Sequence, residues 1–295
     1  MKQGKFLVAD DFKEHVNYFE SNTHKLLGIV HEAEKNITSL GVLIVVGGPQ
    51  YRIGSHRQFI LLARKLAEQG ISSMRFDSAG MGDAGGKKLG FEKLHDDINS
   101  AINHFMQQLP LIKGVVIWGL CDAASAASFY GYQDVRVKGL ILLNPWLYTE
   151  VGEARVFLKT YYLQRILSRH FWTKIIHLDL NYKQTALSFI TLFFQGLFNK
   201  DDEVSLPNKV YQALNSFQYP ILFILSGQDL TAEQFRLCLK QDKHWQRLLK
   251  QPRVTHYELL AADHTFSTAD FRVQVENWTM DWLKTLPDFV IKNSS

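Results

Sequence analysis

VVIWGLCDAASAA, residues 115–127, decides how the rest of the chain is read. Four apolar, strand-forming residues lead to Gly119, and Cys121 is followed by alanines and serines suited to a closely packed helix. A strand that turns sharply into a helix lifts one side chain above the sheet and presses the flanking backbones together. Small residues are therefore needed two positions before it and two after. Gly119 and Ala123 meet that need around Cys121. In the general form of this turn the lifted residue is Ser and the last small residue is Gly; here they are Cys and Ala. The turn alone leaves Cys121 between two readings, a buried thiol filling space or a nucleophile.

Working outward, apolar strand-like runs alternate with helix-like stretches, the pattern of a mainly parallel sheet covered on both faces by helices. Residues 15–21 and 25–32 read as a hairpin at an antiparallel sheet edge. Strands are expected at 41–48, 71–77, 114–119, 138–144, 220–227 and 253–260. Helices are expected after His56, over 91–109, after Cys121, from Thr231 and over 269–286. Between Asn144 and Tyr219 the alternation stops in favour of aromatic, basic, helical sequence. This predicts a core formed by residues 1–144 and 220–295 with an inserted helical cap, or lid, at 145–219.

The carboxyl-terminal third supplies partners for Cys121. GQDLTAEQF places Asp229 in a loop after one strand, and ADHTFS places His264 in a loop after the last strand. Nucleophile, acid and base in that order, each beyond the carboxyl end of a strand, is the arrangement of the α/β-hydrolase fold. Each has a plainer reading: Asp229 as a helix cap in competition with Thr231, His264 as a solvated loop residue. Asp263 adjoins His264, but neighbouring side chains rarely face one another, so Asp229 is the expected orienting acid. In this triad His264 takes the thiol proton or holds an ion pair with the thiolate, lowering the pKa of Cys121 below the free value of about 8.5. Asp229 fixes the imidazole, and the helix after Cys121 adds a positive dipole end. The oxyanion needs two backbone donors, assigned to the N–H of Asp122 and of Gly48, since Pro49 has none to offer.

Together, GGPQYRIGSHRQFILLARKLAEQGI (47–71), MRFDSAGMGD (74–83), WGLCDAASAA (118–127), GQDLTAEQF (227–235) and ADHTFS (262–267) resemble the α/β-hydrolases called exosortase A system-associated hydrolases, type 1. The likeness runs from about residue 41 to 282 and is most specific over 47–82. SAG at 78–80 departs from it, where an aromatic and an arginine are expected before the glycine. The resemblance implies a bacterial hydrolase associated with exosortase and exopolysaccharide systems, and it supplies no substrate. Cysteine at the turn is also similar to dienelactone hydrolases and, differently, to polyhydroxyalkanoate synthases.

Three functions fit: hydrolysis of an ester or thioester through an acyl-cysteine, acyl transfer to an alcohol or saccharide, and non-catalytic binding by a retained fold. Retention of both Asp229 and His264 argues against the last. An aromatic lid containing Phe157, Tyr161, Tyr162, Phe171, Trp172, Phe189, Phe193, Phe194 and Phe198 suits an acylated small-molecule substrate. Arg155, Lys159, Arg165, Arg169 and Lys174 leave peripheral membrane contact through the cap open.

Other features narrow the classes. A chain of 295 residues with 46% hydrophobic and 21% charged residues is an ordinary globular protein, and a formal charge of +4 without a basic run gives no support for a nucleic-acid partner. Two cysteines exclude a disulfide framework. Cys238 reads as a core thiol. No signal-peptide core opens the chain, so a cytoplasmic location is expected. The longest apolar run, 186–198, falls short of the roughly 20 residues needed to span a bilayer. GMGDAGG lacks the Gly-Lys-Ser/Thr ending of a phosphate loop, so no cofactor is expected; no ligand spacing suggests a metal. Asp77 is placed to organise this glycine loop, and His56 and Arg57 either to reach a substrate anion or, equally, to lie on the surface of the following helix.

Overall fold

The computed structural model describes residues 5–9, 11–48, 50–147 and 205–291. Its strands are β1 (Lys5–Ala9), β2 (Phe12–Ser21), β3 (His24–Ala33), β4 (Leu40–Val45), β5 (Ser73–Asp77), β6 (Gly114–Leu120), β7 (Val137–Leu143), β8 (Ile221–Gln228) and β9 (Val254–Asp263). They form one sheet in the order β1-β2-β3-β5-β4-β6-β7-β8-β9. From β5 through β9 every neighbouring pair is parallel. The β1-β2-β3 end is antiparallel and joins through an antiparallel β3-β5 pair. The expected hairpin is β2-β3, registered Ser21 opposite His24 across a turn in which Asn22 takes a φ of 51°. The outermost strand, β1, was not anticipated.

The described helices are α1 (Gln58–Glu68), α2 (His95–Gln108), α3 (Asp122–Gly131), α4 (Leu206–Ser216), α5 (Leu230–Gln241), α6 (Lys243–Leu249) and α7 (Ala269–Leu283). Strands β4 and β6 are buried along their whole length, which is why they read as unbroken apolar runs rather than alternating ones. One face packs Val42, Ile44, Trp118 and Ile141 against Phe59 and Leu62 of α1 and Trp282 of α7. On the other, Phe105 of α2 lies against Gly41. Parallel strands covered on both faces leave the loops at their carboxyl ends as the open edge for chemistry.

Two helix expectations are refined. The helix foreseen over 91–109 is a 3-10 turn, Phe91–Lys93, followed by α2. The helix foreseen from Thr231 is two, α5 and α6, because Asp242 adopts extended backbone and its carboxylate accepts the His244 N–H at 2.7 Å, starting a new helix.

The chain divides into one unit of Met1–Trp146 with Val210–Ser295 and another of Leu147–Lys209. Most of the anticipated lid, including its aromatic and basic residues at 155–198, lies outside the described residues. Among the described residues no helix is long and apolar enough to cross a membrane.

A buried ionic chain crosses the β2-β3-β5 region. Arg64 Nε donates to Glu14 Oε1 at 2.6 Å, His31 Nδ1 lies 3.3 Å from the same oxygen, and Arg75 Nε donates to His31 Nε2 at 3.0 Å. Arg75 Nη1 continues to the Arg52 carbonyl at 3.1 Å, beneath the loop that follows β4. Burial pushes the His31 pKa down, more than Glu14 can raise it, and the nearby Arg75 adds to the lowering. Neutral imidazole is what the geometry needs, since Nε2 accepts from a guanidinium.

A histidine whose pKa is lowered by folding is protonated first in the unfolded chain, so stability is lost as pH falls below the unfolded value of about 6.5. The thermal midpoint is therefore expected to drop between pH 7 and pH 5. His31→Gln, which still accepts from Arg75 and cannot protonate, is expected to reduce that drop in parallel melting curves.

Candidate active site

The turn after β6 has the predicted form. A Cβ on Gly119 would sit 2.7 Å from the carbonyl carbon and oxygen of Ala123, so only glycine lets the end of β6 approach the first turn of α3. Cys121, between them, is held at φ 62°, ψ −125°, a conformation rare outside glycine. Its backbone is tied on both sides: its N–H donates to Leu143 at 2.9 Å, and its carbonyl accepts from Ala124 at 3.0 Å and Trp146 at 3.2 Å. The side chain is only partly buried, in packing contact with the core.

Asp229 and His264 come together as the loops imply. His264 Nδ1 lies 2.9 Å from Asp229 Oδ2, an ion-pair distance at which the N–H is not aligned on the oxygen. The two readings of Asp229 are both realised: the same carboxylate caps α5, accepting from Thr231 at 3.3 Å and Ala232 at 2.9 Å. Burial would raise the Asp229 pKa, but His264 and the two cap bonds outweigh it and the carboxyl is held low. Contact with Asp229, and then with the Cys121 thiol, raises the His264 pKa to about 10 against the opposing effect of burial. His264 is thus an imidazolium at neutral pH, within reach of both partners. Asp263 turns elsewhere and accepts the Ser267 N–H at 2.9 Å.

Gly48, expected to serve the substrate oxygen, is engaged by the protein itself in this structure: its N–H donates to Asp122 Oδ2 at 2.9 Å. The physical reason is Gly47: a Cβ there would fall 1.9 Å from Asp122 Oδ1, so only a glycine lets the carboxylate dock on this turn. Asp122 opens α3 immediately after Cys121, as expected.

Asp77, fully buried at the end of β5, joins two loops. Oδ1 accepts the Arg52 N–H at 2.7 Å, Oδ2 accepts the Asp83 N–H at 3.0 Å, and the Arg52 guanidinium closes on Oδ2. His56 and Arg57 are exposed, at φ 52° and 62°. Burial, with Asp242 nearby, pushes the Cys238 thiol on α5 up to about 12, as suits a packing residue. Among the described residues no group of three His, Cys, Asp or Glu could hold a metal.

One positioning residue escaped the sequence reading. Asn144, completely buried just past β7 at φ 42°, donates through Nδ2 to the His264 carbonyl at 3.0 Å and accepts the Ser226 N–H through Oδ1 at 2.9 Å. It ties the end of β8 to the histidine loop. A polar residue closing the apolar run GLILLN was its only signal.

With the geometry in place, the likenesses can be stated. The family model described as serine aminopeptidase, S33, matches residues 41–188. No curated protein matches the chain in sequence. An esterase from Pyrococcus furiosus, Pf2001, superposes with a TM-score of 0.64 at 17% identity, covering 93% of each chain. The acylaminoacyl peptidase of Pyrococcus horikoshii superposes with a TM-score of 0.60 at 14% identity, over 97% of this chain and 43% of that one. A putative α/β-hydrolase from Agrobacterium tumefaciens gives 0.56 at 13% identity, over 94% and 100%. At such identities the structures speak to the fold alone, and it is the α/β-hydrolase fold.

Asn144→Ala removes both bonds at once. It is expected to cost about 1–3 kcal/mol of stability, because the buried Ser226 N–H is left unpaired. It is also expected to lower kcat more than it raises KM on any substrate that turns over, measured by denaturant titration beside steady-state kinetics.

Proposed function

The chain belongs to the serine aminopeptidase S33 family of α/β-hydrolases, and from that premise we propose that it hydrolyses carboxylic esters or thioesters with Cys121 as nucleophile. The single observation that carries this reading is the convergence at the turn after β6, where Cys121 sits on strained backbone with His264 in contact with its thiol and 2.9 Å from Asp229. The family is named for a serine, and at the turn this chain has Cys121. Sulfur suits the electrostatics. A serine hydroxyl needs a neutral imidazole to accept its proton, whereas an imidazolium already carrying the proton is matched by a thiolate.

In this reading the Cys121 thiolate adds to the acyl carbon, and the carbonyl oxygen becomes the oxyanion received by backbone N–H groups at the turn. Collapse expels the alcohol or thiol, which takes its proton from His264, and leaves an acyl-cysteine. His264, now neutral, removes a proton from water and becomes imidazolium again; the resulting hydroxide attacks the thioester carbonyl, and collapse releases the acid and the Cys121 thiolate. Asp229 holds the imidazole orientation throughout. The finer resemblance to type-1 exosortase A system-associated hydrolases supports, as part of this proposal, a role beside bacterial exopolysaccharide production. A substrate carrying an acyl group on a saccharide or lipid is consistent with that setting.

Intact-mass measurement with activated aryl esters of varied acyl length is expected to trap an adduct on Cys121, with turnover lost in Cys121→Ala. An active Cys121→Ala would sink the reading. Added sugar acceptors distinguish hydrolysis from acyl transfer by whether the product is free acid or a sugar ester.

The raised His264 pKa also sets the pH profile. The imidazolium is present below about 10 and lost above it, so acylation is expected to persist through neutral pH and decline as pH climbs toward 10. Cys121→Ser reverses the demand on His264. Its residual rate, reduced about 100-fold or more, is expected to rise with pH over the same range.

A further inference from the structure

The contact between Gly48 and Asp122 gives the turn a property that the triad does not explain. A backbone N–H at this position can serve one anion, and in this structure it serves a carboxylate of the protein itself, Asp122 Oδ2 at 2.9 Å. The residue contributing that carboxylate immediately follows Cys121, so the bond to Gly48 joins the turn after β4 to the residue beside the nucleophile. A tetrahedral oxyanion formed there would meet a second negative charge, and like charges in a partly desolvated site repel strongly. We infer that Asp122 is a latch on the oxyanion site: its carboxylate holds the Gly48 N–H at rest and must leave before that donor can reach the substrate oxygen. The inference rests on Cys121 being the nucleophile.

Three further features favour a latch over a permanent brace. The other oxygen, Asp122 Oδ1, is buried without a hydrogen-bond partner among the described residues. A carboxylate with about four acceptor sites is thus poorly satisfied where it sits, and swinging into water restores hydration that the docked position withholds. Secondly, Gly48 is at φ 62° and a Cβ there would meet nothing within 4 Å among the described residues, so none of them packs against the α-carbon on that side. Lastly, Gly47 fits the docked carboxylate so closely that a methyl group would collide with Oδ1 at 1.9 Å. The turn is shaped for a group that makes only one hydrogen bond to it.

The latch and the brace predict opposite signs. In Asp122→Ala the main-chain donors remain and the competitor is gone, so formation of the acyl adduct on Cys121, followed by single-turnover intact mass, is expected to be faster by roughly tenfold, the order of one charge-assisted hydrogen bond. Asp122→Asn, neutral but still able to accept from Gly48, is expected to fall between. The Gly48 amide proton, assigned by NMR in the full-length protein, is expected to move upfield in Asp122→Ala as its bond is lost. An unchanged or slower adduct rate in Asp122→Ala, with the melting temperature preserved, overturns the latch in favour of a brace. An unshifted Gly48 amide overturns it by another route, and that readout does not depend on cysteine chemistry. Failure of the nucleophile reading looks different: turnover would survive Cys121→Ala, with no adduct on Cys121 in any variant.

Discussion

Everything at the site hangs on a backbone contact between Gly119 and Ala123, where even a methyl group would come within 2.7 Å of the main chain. That approach brings the end of β6 directly under the first turn of α3 and leaves no room for a gradual bend. The chain turns by placing Cys121 at φ 62°. Strain of this kind costs on the order of 1–3 kcal/mol and persists only where surrounding contacts over-determine it. Here they do: the Cys121 backbone bonds to β7 at Leu143 and to Trp146 beyond it. The thiol is held at the margin of the core because the polypeptide beneath it has no alternative path.

Around this fixed point the other loops are held by buried polar groups rather than by apolar packing. Asp77 ties the segment after β4 to the glycine loop after β5. Arg75 reaches the carbonyl of Arg52 from below, and Asn144 binds the histidine loop to β8. Each places a hydrogen-bonding group beneath backbone that would otherwise leave donors or acceptors unpaired. Loops of irregular sequence thereby acquire a single arrangement, which a catalytic site requires and a hydrophobic core alone does not impose.

Much of this was legible in the sequence. The central parallel strands announce themselves as apolar runs because both faces of the sheet are covered, and Cys121 and Asp229 each follow such a run, while His264 follows the more exposed edge strand β9. Local signals of that kind need no knowledge of the tertiary structure. What escaped has partners far away in sequence: Asn144 bonds to a carbonyl 120 residues on, and the Gly48 N–H meets a carboxylate 74 residues later. Assigning Gly48 to the substrate followed from its place after β4; nothing local could reveal that Asp122 would reach it first. β1 is a short edge strand whose pairing depends on β2 alone, and such strands leave little trace in periodicity. The break between α5 and α6 turns on Asp242 adopting extended backbone instead of continuing a helix, a choice that propensity barely distinguishes.

Asp229 belongs at once to a helix and to a histidine, and the two attachments restrict it differently. Asparagine would satisfy the amides of Thr231 and Ala232 but bring no charge to His264; glutamate would bring the charge on a stem too long for the N-cap geometry. Aspartate is the one side chain that meets both demands. The direction of α5 and the orientation of the imidazole are therefore inherited together: a lineage that re-angled this helix would move His264 with it, unless a second acid had first arisen elsewhere.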